Sequence, residues 1–360
     1  MTTRQRLDLL ARAYPRLFPR TELLRLLRTQ LGHVDALDQW TSRDGTRVRA
    51  RAPKLIYHIC SGNLAVSAWT SLAHGLLLGA HNVVKLPSDR NDGTVRGEIL
   101  GFIRGLPTPL RKLVETHRTI DLDLLRRAEA VIAFGSDATM ESLRPQIRWN
   151  QKFIAHGHAV SLLWIPEPDR LTSSQARACA IDILTYDQLG CLSPQAIYLP
   201  PGTHLDSLGK KLALTLETHW RQSKIKPARL LAVAARITET RDMAHALGQR
   251  VWLPPGKHLG WTLIHDPDPT FQPSPLHGVI YLRQASTAKL RLALASVAGR
   301  ISTIGIAGKS SSPWEKVFLS LGASRFCAAG HMQFPPLTWQ HDGRPSLGDL
   351  VDRIDSENVA

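Results

Sequence analysis

Residues 54–86 read KLIYHICSGNLAVSAWTSLAHGLLLGAHNVVKL. Both ends are rich in β-formers, the middle has the apolar spacing of a helix, and Gly79 stands where a helix would stop. The stretch therefore predicts strand, turn, helix, strand, a βαβ unit whose strands run parallel with a right-handed crossover. From Leu55 to Val84 there are 30 residues without Lys, Arg, Asp or Glu, long enough to raise a membrane span. Ser61, Gly62, Asn63, Gly75, Gly79, His81 and Asn82 interrupt it, and its period changes from strand to helix and back. A buried strand-helix-strand unit is the better reading.

Beyond this unit AVIAFG (130–135), the helix start SDATMESL (136–143), FIAHG (153–157) and SLLWI (161–165) supply further elements of the same kind. The first half reads as a doubly wound α/β sheet behind a helical N-terminus. From Ser173 a helical run, SSQARACAIDILTY, empties into the loop DQLGCLSP and then the strand QAIYL. Helices LGKKLALTLETHWRQ, STAKLRLALASVAG and WEKVFLSLG alternate after that with strands GVIYLR and ISTIGIAG, and a C-terminal helix is expected near SLGDLVDRID. The predicted organisation is a nucleotide-binding domain over 1–182, a second α/β domain over 183–335, and a tail, 336–360, that docks back on the fold.

The chain has 360 residues with 43% apolar content, enough for two cored domains. Arginines scattered through the leucines of the first 30 residues argue against a signal peptide and predict a cytoplasmic protein. Four widely spaced cysteines, Cys60, Cys179, Cys191 and Cys327, form no CxxC pair, so no metal site and no disulfide framework is predicted. The net charge of +15 should attract an anion. Nucleic acid is one candidate, yet the basic residues lie along amphipathic helices with no Lys/Arg block or RNA-reading motif. Phosphorylated cofactors, coenzyme A, an acidic carrier or an anionic lipid surface account for the charge as well.

Cys191 follows Gly190 and precedes Ser193-Pro194, on a loop where a thiol can be exposed and a substrate can approach. Taken alone it is weak, because a lone cysteine is more often a small buried hydrophobe. Cys179, on an apolar helix face, and Cys327, in a strand, fit that plainer description. Five segments, HICSGNLAVSAWTSLAHGLLLGAHNVVKLPSDRND, AVIAFGSDAT, FIAHGHAVSLLWI, DQLGCLSPQAIYL and GASRFCAAGHMQFPPLTWQHDG, carry more. Together, in order, they resemble the acyl-CoA reductase family typified by the fatty-acid reductase of bacterial bioluminescence, a branch of the aldehyde dehydrogenase superfamily. The spacings, 22 residues from Asn63 to Lys85 and 56 from Gly135 to Cys191, are similar too.

The resemblance implies an aldehyde dehydrogenase-like fold and a nucleophilic Cys191 that takes an acyl group as a thioester. It makes Asn63 the amide donor to the oxyanion, with the backbone N–H of Cys191 beside it. Lys85 is implied to hold the adenosine ribose or 2′-phosphate of NADPH or NADH, and Gly135 and Ser136 the pyrophosphate. Plainer alternatives are a turn-holding Asn63, a strand-end Lys85 reaching solvent and a Ser136 helix cap. His156 and His158 are candidates for proton transfer, although a strand histidine is more often structural. Where aldehyde-oxidising relatives carry a water-activating glutamate this chain has Ala155, which favours thioester exchange over hydrolysis to a free acid. The family's ribose-binding glutamate is not evident, and for TWQHDG, with Trp339, His341 and Asp342, the alternatives are closing the acyl pocket or docking the C-terminal helix, docking being the expected role.

The reaction so implied is NAD(P)H-dependent reduction of an acyl-CoA or acyl-carrier thioester, fatty in the family, to an aldehyde through an acyl-Cys191 intermediate. A homo-oligomer, an acyl-activating partner enzyme and no nucleic-acid partner are expected with it. Coenzyme A-acylating aldehyde oxidation uses the same residues. A non-catalytic acyl-binding protein, or a basic nucleic-acid-binding protein, is the alternative of another class.

Overall fold

The structure, a computed structural model, describes residues 1–43, 46–88, 93–223, 230–309 and 312–357. Arg90 and Asn91, in the first resembling segment, lie outside the described residues, as does the end of the tail beyond 357. The chain forms two compact units, Met1–His158 with Pro336–Ala360, and Ala159–Pro335.

The first unit opens with helices α1 (Thr3–Ala13) and α2 (Arg20–Leu31), then strands β1 (Thr41–Arg43), β2 (Thr46–Arg51) and β3 (Leu55–Ile59). Next come α3 (Ala65–Leu78), β4 (His81–Lys85), α4 (Thr94–Gly105), α5 (Thr108–Arg111) and β5 (Val114–His117). The sheet is completed through α6 (Leu122–Arg127), β6 (Ala130–Phe134), α7 (Asp137–Leu143) and β7 (Lys152–His156). The strand order is β5-β4-β3-β6-β7, all parallel. Alternate residues of β3 enter opposite cores, Ile56 packing with α1 to α4 and Tyr57 with Leu125 and Leu143 of α6 and α7. Both faces are covered, as a parallel sheet requires.

The decisive 33 residues fold as their spacing predicts, with Gly79 at φ 77° closing α3 in the left-handed region. A buried polar clip docks this helix. His58 bonds Ser71 Oγ through Nδ1 at 2.8 Å and Asn82 Oδ1 through Nε2 at 3.0 Å, while Asn82 Nδ2 donates to Ala80 O at 2.7 Å. Because Asn82 already donates from nitrogen, Nε2 of His58 carries the proton and Nδ1 accepts from Ser71. Gly75 leaves room for the clip, since a Cβ there would stand 1.8 Å from Asn82 Oδ1.

The second unit begins with β8 (Val160–Trp164), α8 (Ser173–Leu184), β9 (Pro194–Leu199), α9 (Leu205–Gln222) and α10 (Leu231–Ala246). It continues through β10 (Arg250–Trp252), β11 (Thr262–His265), β12 (Val279–Gln284), α11 (Thr287–Ala293), β13 (Ile301–Ile306), α12 (Ser312–Ser320) and β14 (Arg325–Ala328). Its sheet runs β10-β11-β12-β9-β8-β13-β14, parallel except for β10. Helices α8 and α9 cover one face, and α11 and α12 the other.

Two expectations are corrected. The division falls between His158 and Ala159, not near residue 182, because β8 pairs with β9 and β13 and α8 packs on α9. The C-terminal segment is a strand rather than a helix. There β15 (Asp352–Ser356) pairs antiparallel with β2, and β1-β2-β15 form a small separate sheet in the first unit, where the tail belongs. Among the described residues no helix is long and apolar enough to cross a membrane.

Candidate active site

In the first unit the sequence-selected residues gather at the carboxyl edge of the sheet. Asn63 follows β3 in an exposed turn, half-buried Lys85 ends β4, Gly135 and Ser136 follow β6, and His156 ends β7. Two backbone bonds tie neighbouring turns together, Cys60 N to Lys85 O at 3.2 Å and Gly135 N to His156 O at 3.2 Å. In the order β5-β4-β3-β6-β7 the connection reverses between β3 and β6, so the turns of Asn63 and Gly135 flank the switch point where doubly wound sheets bind ligands. Ser136 caps α7, accepting from Thr139 N at 3.3 Å. The exposed Asp137 in the first turn of that seven-residue helix makes the end a poorer anion seat than the sequence suggested.

His156 and His158 separate sharply. His158 is exposed, its N–H donating to Asp137 Oδ1 at 2.8 Å. The His156 ring is 10% exposed and donates from Nδ1 to Asp342 Oδ2 at 2.9 Å, a carboxylate 186 residues away in the TWQHDG motif. Phe134 stacks on His156 at 4.7 Å and His341 stacks on it at 4.0 Å, with Trp339 against His341 at 4.5 Å. Since a carboxylate only accepts, Nδ1 holds the proton and Nε2 is left for another partner. Burial pushes the His341 imidazole down to about 4, helped by the neighbouring His156. Burial alone would raise the Asp342 carboxyl, but the His156 hydrogen bond and nearby basic groups hold it below the usual carboxylate range. The atoms of His156, His341 and Asp342 lie close enough for a metal. The two rings, however, stack with planes only 20° apart, so their in-plane lone pairs do not converge on one ion. The motif thus does more than dock the tail, since it orients His156.

In the second unit Cys191 lies on the loop between α8 and β9 and is exposed, whereas Cys60 and Cys179 are buried. Burial pushes the Cys60 thiol up to about 12 against the opposing charge of Lys85, and raises Cys179 further. Cys327 is half-buried rather than buried, its thiol pushed by desolvation to about 11. The loop is pinned at several points. Ser161 Oγ donates to Cys191 O at 3.0 Å, Ser193 N donates to Gly190 O at 3.0 Å, and Gln333 Nε2 donates to Ser193 Oγ at 2.9 Å. Gln188 Nε2 reaches Pro194 O at 2.8 Å and Val279 O at 3.0 Å, while its Oε1 accepts from Gly278 N at 2.9 Å. Asp187 accepts from His277 Nδ1 at 2.5 Å. Sequence reasoning missed Asp187, Gln188, His277 and Gln333; Asp187 and Gln188 at least stand beside Cys191 in DQLGC, whereas His277 and Gln333 come from distant segments and leave no local signal.

A family model described as acyl-CoA reductase (LuxC) matches residues 2–353. The long-chain acyl-protein thioester reductase of Aliivibrio fischeri is 24% identical over 354 residues, covering 94% of this chain and 71% of that protein. One from Photorhabdus luminescens is 25% identical over 355 residues, covering 92% and 70%. Among solved structures, the indole-3-acetaldehyde dehydrogenase of P. syringae in complex with NAD+ superposes with a TM-score of 0.71 at 12% identity, covering 99% of this chain and 84% of its own. Lactaldehyde dehydrogenase from Escherichia coli gives 0.68 at 15%, covering 99% and 87%. At those identities the structures establish the aldehyde dehydrogenase-like fold.

Proposed function

The chain belongs to the acyl-CoA reductase (LuxC) family, and from that premise we propose that it reduces an acyl-CoA or acyl-carrier thioester to an aldehyde through an acyl group held on Cys191. The observation that carries the reading is the pinned loop, which presents the one exposed thiol among four cysteines. The Cys191 thiolate attacks the thioester carbonyl, a new C–S bond forms, the old one breaks, and the departing thiolate takes up a proton. Asn63 and the Cys191 N–H donate to the oxyanion, and one such donor lowers the barrier by roughly 3–4 kcal/mol. His156, oriented by Asp342, is the group that moves the proton. Bound NADPH, or NADH, supplies a hydride. The C–S bond to Cys191 then breaks, leaving aldehyde and regenerated thiolate, so one thioester, one reduced nicotinamide and one proton give aldehyde, free thiol and oxidised nicotinamide.

Ala155, where aldehyde-oxidising relatives are expected to carry a glutamate, offers no base to activate water, which favours transfer between thiols over hydrolysis. Lys85, beside the β3/β6 switch, fits an adenosine ribose or 2′-phosphate, and Gly135 with Ser136 fits the neighbouring diphosphate, although Asp137 opposes it. We place the enzyme in the cytoplasm as a homo-oligomer that receives its acyl group from an activating enzyme, with a fatty acyl group as substrate.

Incubation with an acyl-CoA and NADPH tests the reading: NADPH is consumed and aldehyde appears, and neither occurs if the fold is only an acyl carrier. Lys85→Ala should raise the apparent KM for the nicotinamide while acyl transfer to Cys191, which needs no cofactor, proceeds. If Lys85 meets the 2′-phosphate, the loss is on the order of 1.5–3 kcal/mol and larger for NADPH than for NADH. Unchanged cofactor constants with acylation abolished would move Lys85 to the acyl site. His156→Gln should slow turnover by about a hundredfold, whereas His158→Gln, at an exposed position, should leave it near wild type.

A further inference from the structure

Tyr186, Asp187 and Gln188 have φ of 56°, 55° and 61°, three consecutive non-glycine residues in the left-handed region. The left-handed region is disfavoured for any residue with a Cβ, and the conformation persists only where surrounding contacts enforce it. Facing them, Leu276 and His277 have φ of 68° and 57°. These two strained segments lead into neighbouring parallel strands, β9 and β12, and they are cross-braced side chain to chain. Gln188 spans Pro194 O, Val279 O and Gly278 N, as described above. The Asp187–His277 pair closes the brace at 2.5 Å, with the two side chains only 15% and 12% exposed. On its other side Gly278, at φ 83°, lets the backbone of Gly260 pass close, since an added Cβ would stand 2.4 Å from Gly260 O.

This strained run stands three to five residues before Cys191. We infer that Asp187 and His277 are positioning residues, a buried latch that holds the strained loop so that the Cys191 thiol is aimed for attack. The inference rests on Cys191 as the nucleophile. Released from the latch, residues 186–188 relax towards ordinary φ values and carry the thiol away from its line of attack. A displacement of about 1 Å at a reacting centre costs on the order of a hundredfold in rate.

The test is single-turnover acylation of the full chain by an acyl-CoA, followed by intact mass, together with kcat, KM and the melting temperature. Asp187→Ala and His277→Phe should slow acylation on the order of a hundredfold, lowering kcat with KM for the thioester little changed. Asp187→Asn keeps an oxygen to accept the Nδ1–H of His277 and should restore most of the rate. Should Asp187→Ala fail to fold, His277→Phe, which keeps the ring's bulk and loses the donor, carries the comparison. A wild-type acylation rate in either folded variant overturns the latch, as does Asp187→Asn acylating no faster than His277→Phe. If the wild-type chain acquires no acyl group while all variants melt alike, the nucleophile assignment falls, and the latch with it.

Discussion

Cys191→Ser should abolish aldehyde formation, while Cys60→Ser, Cys179→Ser and Cys327→Ser retain most of it. The four thiols differ by environment before any mechanism is invoked. Cys60 and Cys179 are buried, and desolvation raises both far above neutrality, so neither supplies thiolate at pH 7. Cys327 is pushed to about 11, with the same consequence. Only Cys191 combines exposure with a loop fixed at Gln188, Ser193 and its own carbonyl. Serine in its place keeps the hydrogen bonds of the loop and loses the nucleophile, because an alcohol is far less acidic than a thiol and is almost wholly un-ionised near neutrality. The reading is checked by steady-state NADPH oxidation across the four variants. Full activity in Cys191→Ser, or loss in all four alike, would remove the covalent mechanism.

Acidification should destabilise the protein steeply between about pH 6.5 and pH 4. Burial pushes His58, His74 and His341 each down to about 4, with neighbouring histidines adding to the effect on His74 and His341. An unfolded chain binds those protons near 6.5, so below that value the unfolded state holds more protons than the folded one. The stabilisation is therefore complete above about 6.5 and lost as pH falls towards 4. Going from pH 7.5 to pH 5, one such histidine costs up to about 2 kcal/mol, from about 1.4 kcal/mol per pK unit. Three of them remove a large part of the roughly 5–15 kcal/mol that holds a domain folded. Urea unfolding at the two pH values measures this directly. The midpoint should drop at pH 5, and an unchanged midpoint would mean that these rings are hydrated and titrate freely.

How much of this was legible in the sequence depends on the range of the interactions. The βαβ unit was readable because one uncharged run carries both periods, and a buried parallel unit leaves that local trace. The unit boundary was not. Strands β7 and β8 are separated by only Gly157, His158 and Ala159, yet they enter different sheets, and apolar strand patterns do not say which neighbour each will choose. In the C-terminal segment, Asp352–Ser356 alternates between half-buried and exposed residues, a period of two that a helical reading passes over.

The site divided in the same way. Cys191, Asn63 and Gly135 sit in loops and Lys85 at a strand end, all within segments that resemble a family, so order and spacing brought them forward. The Asp342–His156 bond joins residues 186 apart, and nothing local in TWQHDG marks its aspartate as a histidine's partner. Likewise no glycine announces the left-handed run at Tyr186, Asp187 and Gln188. Those conformations are imposed by Gln188 and by the partner loop at 276–278, which only the folded chain brings together.

The central claim, an acyl group carried on Cys191, is tested most directly by mass spectrometry of the purified chain mixed with a panel of acyl-CoAs without nicotinamide, then digested and mapped. One added acyl group is expected on the peptide containing Cys191, labile to hydroxylamine, absent in Cys191→Ser, and discharged as aldehyde when NADPH is supplied. Aldehyde formation without that adduct, or an adduct on another residue that NADPH discharges equally well, would contradict it.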